Sequence, residues 1–183
     1  MEILILAVVT LPLLTALFLK VANRFLNELL TNFITINAAL LSVAVSFFMF
    51  GYLLLDKFKP IKFELFEWYP SPQIIFEFYL DGLSGVMMIL ISGLSLVIQL
   101  FSTSYMSKDE KYTKYFEYFN FFVFSMLLLV LSGNFLVMFF GWELVGLSSY
   151  LLISFWYEKK SAAKAGNKAF ILNRIGDFGF LIG

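Results

Sequence analysis

The sequence contains neither cysteine nor histidine among its 183 residues. The lack of cysteine excludes disulfide bonds, thiolate metal sites and cysteine nucleophiles. The lack of histidine removes the commonest metal ligand and the usual general base. The commonest kinds of metal centre and of general-base catalysis are therefore excluded.

Charged residues are scarce as well. They make up 14% of the chain, whereas hydrophobic residues make up 61% and the mean hydropathy is +0.87. Soluble domains are about a quarter charged and about half apolar. Thirteen basic and thirteen acidic residues cancel, so no net charge points to nucleic acid or anionic substrates. The composition predicts an integral membrane protein.

Long apolar runs predict the first three membrane helices, because a crossing needs about 20 apolar residues. These helices are expected within residues 3–19, 29–55 and 82–107. The first lacks the basic start and the small-residue cleavage site of a signal peptide, so we expect it to be retained.

The apolar run from 118 to 157 contains one charged residue, Glu143. A single helix of that length would be about 60 Å long, about twice the thickness of the hydrocarbon layer. The sequence "SGN" at 132–134 has the glycine and asparagine of a tight turn. We therefore predict two helices here, at 114–131 and 135–157. The segment 161–183 is expected to begin a sixth helix, whose crossing starts at about residue 167.

The segment "IKFELFEWYPSPQIIFEFYLD" alternates apolar and charged residues around Pro70, Ser71 and Pro72. This alternation on both sides of a turn signal predicts a short β-hairpin outside the lipid. An amphipathic surface loop is the alternative. The predicted fold is an all-α polytopic membrane protein of about six transmembrane helices. It divides into helices one and two (1–56), the hairpin (57–81) and helices three to six (82–183).

Lysine and arginine are unevenly distributed between the two predicted sides of the membrane. The hairpin side has only Lys57, Lys59 and Lys62. The other side has Lys20, Arg24, Lys108, Lys111, Lys114, Lys159, Lys160, Lys164 and Lys168. Because positive charge favours the inside, the basic side is expected to face the cytoplasm or the mitochondrial matrix. The N-terminus and the hairpin are then expected on the opposite side.

Glu143 lies near the middle of the fifth predicted helix. A carboxylate at that depth is costly and usually faces the bundle interior or a hydrated path. Burial favours its neutral form and a nearby cation favours its charged form, so together they suit a proton relay. A structural carboxylate that hydrogen-bonds a neighbouring helix is the alternative. The adjacent Trp142 is expected either to shield the carboxylate or to fill space.

The sixth predicted helix adds Lys168, Arg174 and Asp177. Arg174 and Asp177 are three residues apart on one helix face and can pair. This pair could serve a proton relay or could only position the helix, and Lys168 could snorkel to the interface. Asp81 precedes the third helix, where a cap is expected. These features suggest transport of protons or cations, and composition and spacing do not separate a proton pump subunit from a secondary transporter.

Four stretches of the sequence resemble one family closely. They are "YLDGLSGVM" (79–87), "YMSKDEKYTKYFEYFNFFVFSMLLLVLSGN" (105–134), "GWELVGLSSYLLISFW" (141–156) and "AGNKAFILNRIGDFGFLIG" (165–183). In this order they are similar to the subunit 5 family of mitochondrial NADH dehydrogenase, respiratory complex I. The combination of GWE-x-VG-x-x-SYLLI with KAF-x-x-NR-x-GD is highly specific. The first 78 residues match mainly in layout.

The resemblance implies a distal antiporter-like subunit that pumps protons as electrons pass from NADH to ubiquinone. It implies proton-translocation roles for Glu143, Arg174 and Asp177, and less firmly for Lys168, the KAF lysine. NADH, FMN, iron–sulfur clusters and ubiquinone would be bound elsewhere in the complex, with no cofactor on this chain. The implied location is the mitochondrial inner membrane, beside the antiporter-like subunit 4.

The sequence departs from that family in length. Family members are much longer and carry two inverted repeats, with a lysine on a later helix that pairs with the glutamate at the position of Glu143. We therefore hypothesise a split subunit, whose C-terminal remainder is a second polypeptide. Glu143 is expected to need that other chain for its partner. Two other hypotheses are a Mrp-type cation/proton antiporter subunit and a structural scaffold that does not pump.

Overall fold

The structure, a computed structural model, describes residues 1–70 and 73–183. Its helices are α1 (Glu2–Ala22), α2 (Glu28–Leu55), α3 (Gly82–Tyr105), α4 (Tyr112–Val130), α5 (Phe135–Ile153) and α6 (Lys160–Ile182). The strands β1 (Ile61–Pro70) and β2 (Gln73–Leu80) lie between α2 and α3. The predicted order of six helices, with a hairpin after the second, is confirmed.

Within the described residues, α1, α2, α3 and α5 are long and apolar enough to cross a membrane. They contain 19 to 28 residues each. The other two helices are more polar, because α4 includes Lys114 and Glu117 and α6 includes Arg174, Asp177 and several lysines. The chain is a multi-pass membrane protein, and α4 and α6 are the less apolar of its six described helices.

The boundary between the last two helices differs from the prediction. We expected the fifth helix to run to residue 157, but α5 ends at Ile153 and the Ser154 hydroxyl donates to the Tyr150 carbonyl at 2.6 Å. The sixth begins at Lys160, one residue before the segment 161–183 in which it was expected to begin and ahead of the crossing expected from about residue 167. Apolar runs mark only the part of a helix that lies in lipid. The polar start of α6 is rich in alanine and lysine, which favour helix without being apolar.

The hairpin is antiparallel, and its register pairs Ile61 with Leu80 and Phe63 with Phe78. The predicted turn residues Ser71 and Pro72 lie outside the described part of the chain. The predicted turn at 132–134 is confirmed, and it docks on β2 through two backbone hydrogen bonds. Tyr79 N–H donates to the Leu131 carbonyl at 2.8 Å, and Gly133 N–H donates to the Glu77 carbonyl at 2.9 Å. The hairpin therefore fixes the point where α4 turns into α5.

Helix α4 packs against both α1 and α5, while α2 packs on α3 and α5 on α6. The largest apolar core lies toward the hairpin end of the bundle and includes Ile5, Met49, Leu80, Met88, Leu127 and Val137. Gly141 allows α5 to approach α4 closely. A Cβ atom at that position would lie 2.8 Å from both the backbone N and the Cα of Leu129. This close packing sets the position of the next two residues, Trp142 and Glu143.

Candidate functional site

Helices α5 and α6 lie side by side after the short turn that joins them. Gly166 makes the approach possible, because a Cβ atom there would lie 2.8 Å from the Cβ of Ser154. Farther along, Gly146 faces Asn173, whose amide nitrogen would be 3.6 Å from an added Cβ. The polar residues of α6 are thereby brought against the middle of α5.

Glu143 and Arg174 form an ion pair across the two helices. The Glu143 side chain is 21% exposed and the Arg174 side chain is 39% exposed. The guanidinium also lies over the Phe170 ring, with its Cζ 4.7 Å from the ring centroid. Because both groups lie among apolar helix surface, each reduces the cost of keeping the other charged in the membrane.

Asp177 completes the group from the next turn of α6. It is 5% exposed, and the Trp142 indole N–H donates to its Oδ1 at 2.7 Å. Its Oδ2 lies 3.7 Å from Arg174 Nη1, which is beyond hydrogen-bond distance but close enough for charge attraction. The four residues thus form a chain in the order Trp142, Asp177, Arg174, Glu143, and we call them the membrane cluster.

A cleft of about 560 Å³ lies beside the membrane cluster, between α4, α5 and α6. Trp142, Ser149, Asn173 and Asp177 give it polar groups. Met126, Leu129 and Leu172 are among its apolar lining residues. A space of this size with several polar groups can hold water molecules. Of the two carboxylates in the membrane cluster, Asp177 lines the cleft.

The structure brings together three of the four predicted site residues: Glu143, Arg174 and Asp177. Lys168 is exposed and makes no hydrogen bond or ion pair with the described residues. It lies six residues before Arg174, which places it on another side of α6. We expected another chain to supply the partner of Glu143, whereas the structure pairs Glu143 with Arg174 of the same chain.

Sequence reasoning missed the hydrogen bond from Trp142 to Asp177, which joins residues 35 apart in the chain. The available signal was the indole N–H next to Glu143 in an apolar helix, because an indole N–H in apolar surroundings usually finds a hydrogen-bond acceptor. No spacing rule within one helix could identify that acceptor. Among the described residues, no group of three or more His, Cys, Asp and Glu side chains could hold a metal ion.

A second cluster of similar composition lies where α4 begins and α5 ends. The Trp156 indole N–H donates to Asp109 Oδ2 at 2.8 Å, and Lys111 Nζ pairs with Glu158 Oε1 at 2.5 Å. The Glu158 side chain is 67% exposed. Its carboxylate raises the pKa of Lys111 above the ordinary value. We call these four residues the end cluster.

Asp81 has the capping role that its position predicts. Its carboxylate accepts hydrogen bonds from Ser84 N–H at 2.8 Å and from the Ser84 hydroxyl at 2.9 Å. The Asp81 N–H donates to the same hydroxyl, which completes a capping box at the start of α3. The hydrogen bond from the Ser84 backbone is the main cause that lowers the pKa of Asp81.

Two family models match this chain. Residues 68–116 match the N-terminus of NADH-ubiquinone oxidoreductase (complex I) chain 5. Residues 132–183 match the transmembrane model of NADH:quinone oxidoreductase and Mrp antiporters. Together the two models account for more than half of the chain, including the whole membrane cluster.

Curated relatives match over nearly the whole chain. It is 37% identical over 178 residues to NADH-quinone oxidoreductase subunit L of Rickettsia bellii, covering 96% of this chain and 28% of that protein. It is 37% identical over 180 residues to NADH-ubiquinone oxidoreductase chain 5 of Rhizopus stolonifer, covering 97% of this chain and 27% of that protein. The chain thus spans little more than a quarter of the length of these relatives.

Solved structures show the same fold. A chain of an archaeal membrane-bound sulfane sulfur reductase matches with a TM-score of 0.85 and 21% identity, over 100% of this chain and 36% of that one. A chain of respiratory complex I from Thermus thermophilus matches with a TM-score of 0.70 and 18% identity, over 96% of this chain and 35% of that one. By its family models and its relatives, this chain belongs to the family of antiporter-like membrane subunits that includes complex I chain 5.

Proposed function

We propose that this chain is part of the proton-translocating membrane arm of an NADH:quinone oxidoreductase, and that Glu143 is its proton-loading group. The main support is the ion pair between Glu143 and Arg174 in an otherwise apolar part of α5, beside a cleft with room for water. The names of the relatives, which are subunits of NADH:quinone oxidoreductases, support the same role.

The proposed proton step depends on the position of the Arg174 guanidinium. While the guanidinium pairs with Glu143, the carboxylate is stabilised in its charged form. When the guanidinium moves toward Asp177, Glu143 is left in an apolar environment, and its neutral form becomes favoured. Glu143 then takes up a proton that arrives through the neighbouring cleft, which Asp177 lines. The return of Arg174 expels that proton, so movement over a few ångströms is coupled to loading and release.

We propose that the redox reaction takes place on other subunits, which would bind NADH, FMN, iron–sulfur clusters and ubiquinone. The partners would be the remaining part of the antiporter-like bundle that the longer relatives possess, and the neighbouring antiporter-like subunit 4. Lys168, which is exposed on α6, would contribute to the proton path through such a neighbour. The location would be the mitochondrial inner membrane, with the N-terminus toward the intermembrane space because lysine and arginine are concentrated on the opposite side.

The substitution Glu143→Gln tests this proposal, because it removes the proton site and keeps the shape of the side chain. The ratio of protons translocated to NADH oxidised should fall in vesicles that contain the assembled complex. Glu158→Gln, which changes an exposed carboxylate just after α5, is the matched control and should leave the ratio unchanged. An unchanged ratio in Glu143→Gln would instead support a scaffold that does not pump.

A Mrp-type cation/proton antiporter is the second candidate, because the family model over residues 132–183 includes both groups of proteins. The two functions differ in their partners and in the ion that they require. Copurification with quinone-reductase subunits supports the complex I role. Sodium-dependent transport without those subunits supports the antiporter.

A further inference from the structure

Asp177 lies near a donor on each of two helices. Trp142 on α5 donates to Oδ1 at 2.7 Å, whereas Arg174 on α6 remains 3.7 Å from Oδ2. Arg174 is three residues before Asp177 on the same helix, so the two side chains are natural partners. In the structure Arg174 instead pairs across the interface with Glu143. Whether Trp142 or Arg174 donates to Asp177 therefore determines whether Glu143 keeps its cationic partner.

We propose that Trp142 is a positioning residue that selects the partner of Arg174. Its indole N–H satisfies Asp177 and thereby leaves the guanidinium for Glu143. The distances around Asp177 support this choice of partner by themselves, and its consequence for proton translocation rests on the proposed function.

The burial of Asp177 limits the groups that can satisfy its carboxylate. Asp177 is 5% exposed, and a buried carboxylate needs a hydrogen-bond donor or a counter-charge. The α4 residues that line the same cleft are Met126 and Leu129, which provide neither a donor nor a charge. Glu143, Arg174 and Asp177 are thus the charged groups that meet at this point of the described structure. If the indole N–H is lost, Arg174 is the charged donor within reach of Asp177.

The indole ring is held in place by its own neighbours. It stacks on Phe180 of α6, with centroids 6.3 Å apart and ring planes 7° apart. Phe180 also stacks on Phe139, one turn earlier on α5, at 5.9 Å. Trp142→Phe would keep an aromatic ring in this stack and remove the N–H. In that variant Arg174 closes the gap to Asp177, and Glu143 is left unpaired and neutral.

A lipophilic carbodiimide tests this inference in the assembled complex, because it modifies protonated carboxyl groups in apolar surroundings. The measurement is the modified fraction of the Glu143 peptide by mass spectrometry. Trp142→Phe should raise that fraction several-fold. Trp156→Phe removes the same kind of indole-to-aspartate bond in the end cluster, and it should leave the labelling of Glu143 unchanged.

Asp177→Asn provides the second, independent arm. An asparagine does not compete for the guanidinium, so Glu143 should stay protected in Asp177→Asn alone and should regain protection in Trp142→Phe/Asp177→Asn. Unchanged labelling in Trp142→Phe would overturn the inference, as would increased labelling of Glu143 in Asp177→Asn. Proton translocation is measured separately on the same variants. If labelling responds as stated while the ratio of protons to NADH does not, the positioning role holds and the proposed function fails.

Discussion

The membrane cluster and the end cluster use the same two interactions in different surroundings. Each has a tryptophan that donates to an aspartate, and each has a cation paired with a glutamate. Asp177 in the membrane cluster is 5% exposed, whereas the Glu158 side chain in the end cluster is 67% exposed. The Glu143 side chain is 21% exposed, so its ion pair is screened by water less than the pair of Glu158 is. The two clusters thus share their residue types and differ in the exposure of their carboxylates.

The largest effect is expected when the cation is removed from each cluster. Arg174→Gln removes the counter-charge of Glu143, whose side chain is 21% exposed, and should destabilise the assembled subunit by up to about 3 kcal/mol. Lys111→Gln should lower stability only slightly, because its partner Glu158 is 67% exposed and exposed ion pairs contribute little. Thermal denaturation of the detergent-solubilised complex measures the loss of stability in both variants. Equal losses in the two variants would show that burial does not distinguish the clusters.

The next effect concerns helix spacing, on which the membrane cluster depends. Gly166→Ala places a Cβ atom 2.8 Å from the Cβ of Ser154 and should push α6 away from α5, at a cost of about 1–3 kcal/mol. Proton translocation should fall in that variant.

Gly179→Ala is the matched control on the same helix, because no described atom lies within 4 Å of its added Cβ. Its alanine should stabilise α6 slightly. If the two variants had the same translocation rate, the spacing between α5 and α6 would not control the membrane cluster.

Asp81 provides a smaller test, in which a carboxylate is stabilised by a backbone N–H and a hydroxyl instead of a cation. Asp81→Ala should cost about 1 kcal/mol at pH 7. The folded-state pKa of Asp81 lies below the ordinary value of 3.8. The charged cap therefore stabilises the fold above pH 3.8, and this stabilisation is lost as the pH falls through the lower folded-state pKa of Asp81.

Thermal denaturation at neutral and acid pH checks this prediction. The difference between wild type and Asp81→Ala should shrink as the pH falls below 3.8. Asp56→Ala, at the end of α2, is the control, because the Asp56 side chain makes no hydrogen bond in the described structure. A difference that persisted unchanged in acid would contradict the role of the charged cap.

The smallest effect should come from the ion pair of the end cluster. The Glu158 carboxylate raises the pKa of Lys111 above 10.5. The ion pair therefore stabilises the fold below pH 10.5, and this stabilisation is lost as the pH rises through the folded-state pKa of Lys111. Glu158→Gln should lower the melting temperature only slightly at low salt. The difference should vanish at about 1 M salt, where charges are screened within about 3 Å. A difference that survived high salt would mean that this pair behaves like the one in the membrane.

Local sequence signals predicted the number of helices, the hairpin and the turn at 132–134. Apolar runs, period-two alternation and the glycine–asparagine pair each act over a few residues, so no distant contact is needed to interpret them. The sixth helix was expected to begin in the segment 161–183, and α6 begins at Lys160. Glu143, Arg174 and Asp177 were identified because charged residues are rare in apolar segments.

The sequence by itself determined that this chain lies in a membrane and that Glu143 is an unusual charge within it. Composition and periodicity suffice for these two conclusions, because placing a polar group in lipid costs free energy at every position of the chain. Only the tertiary structure decided that Arg174 pairs with Glu143 and that Trp142 binds Asp177. Those partners are 31 and 35 residues apart in the chain, and the close packing of α5 on α6 brings them together.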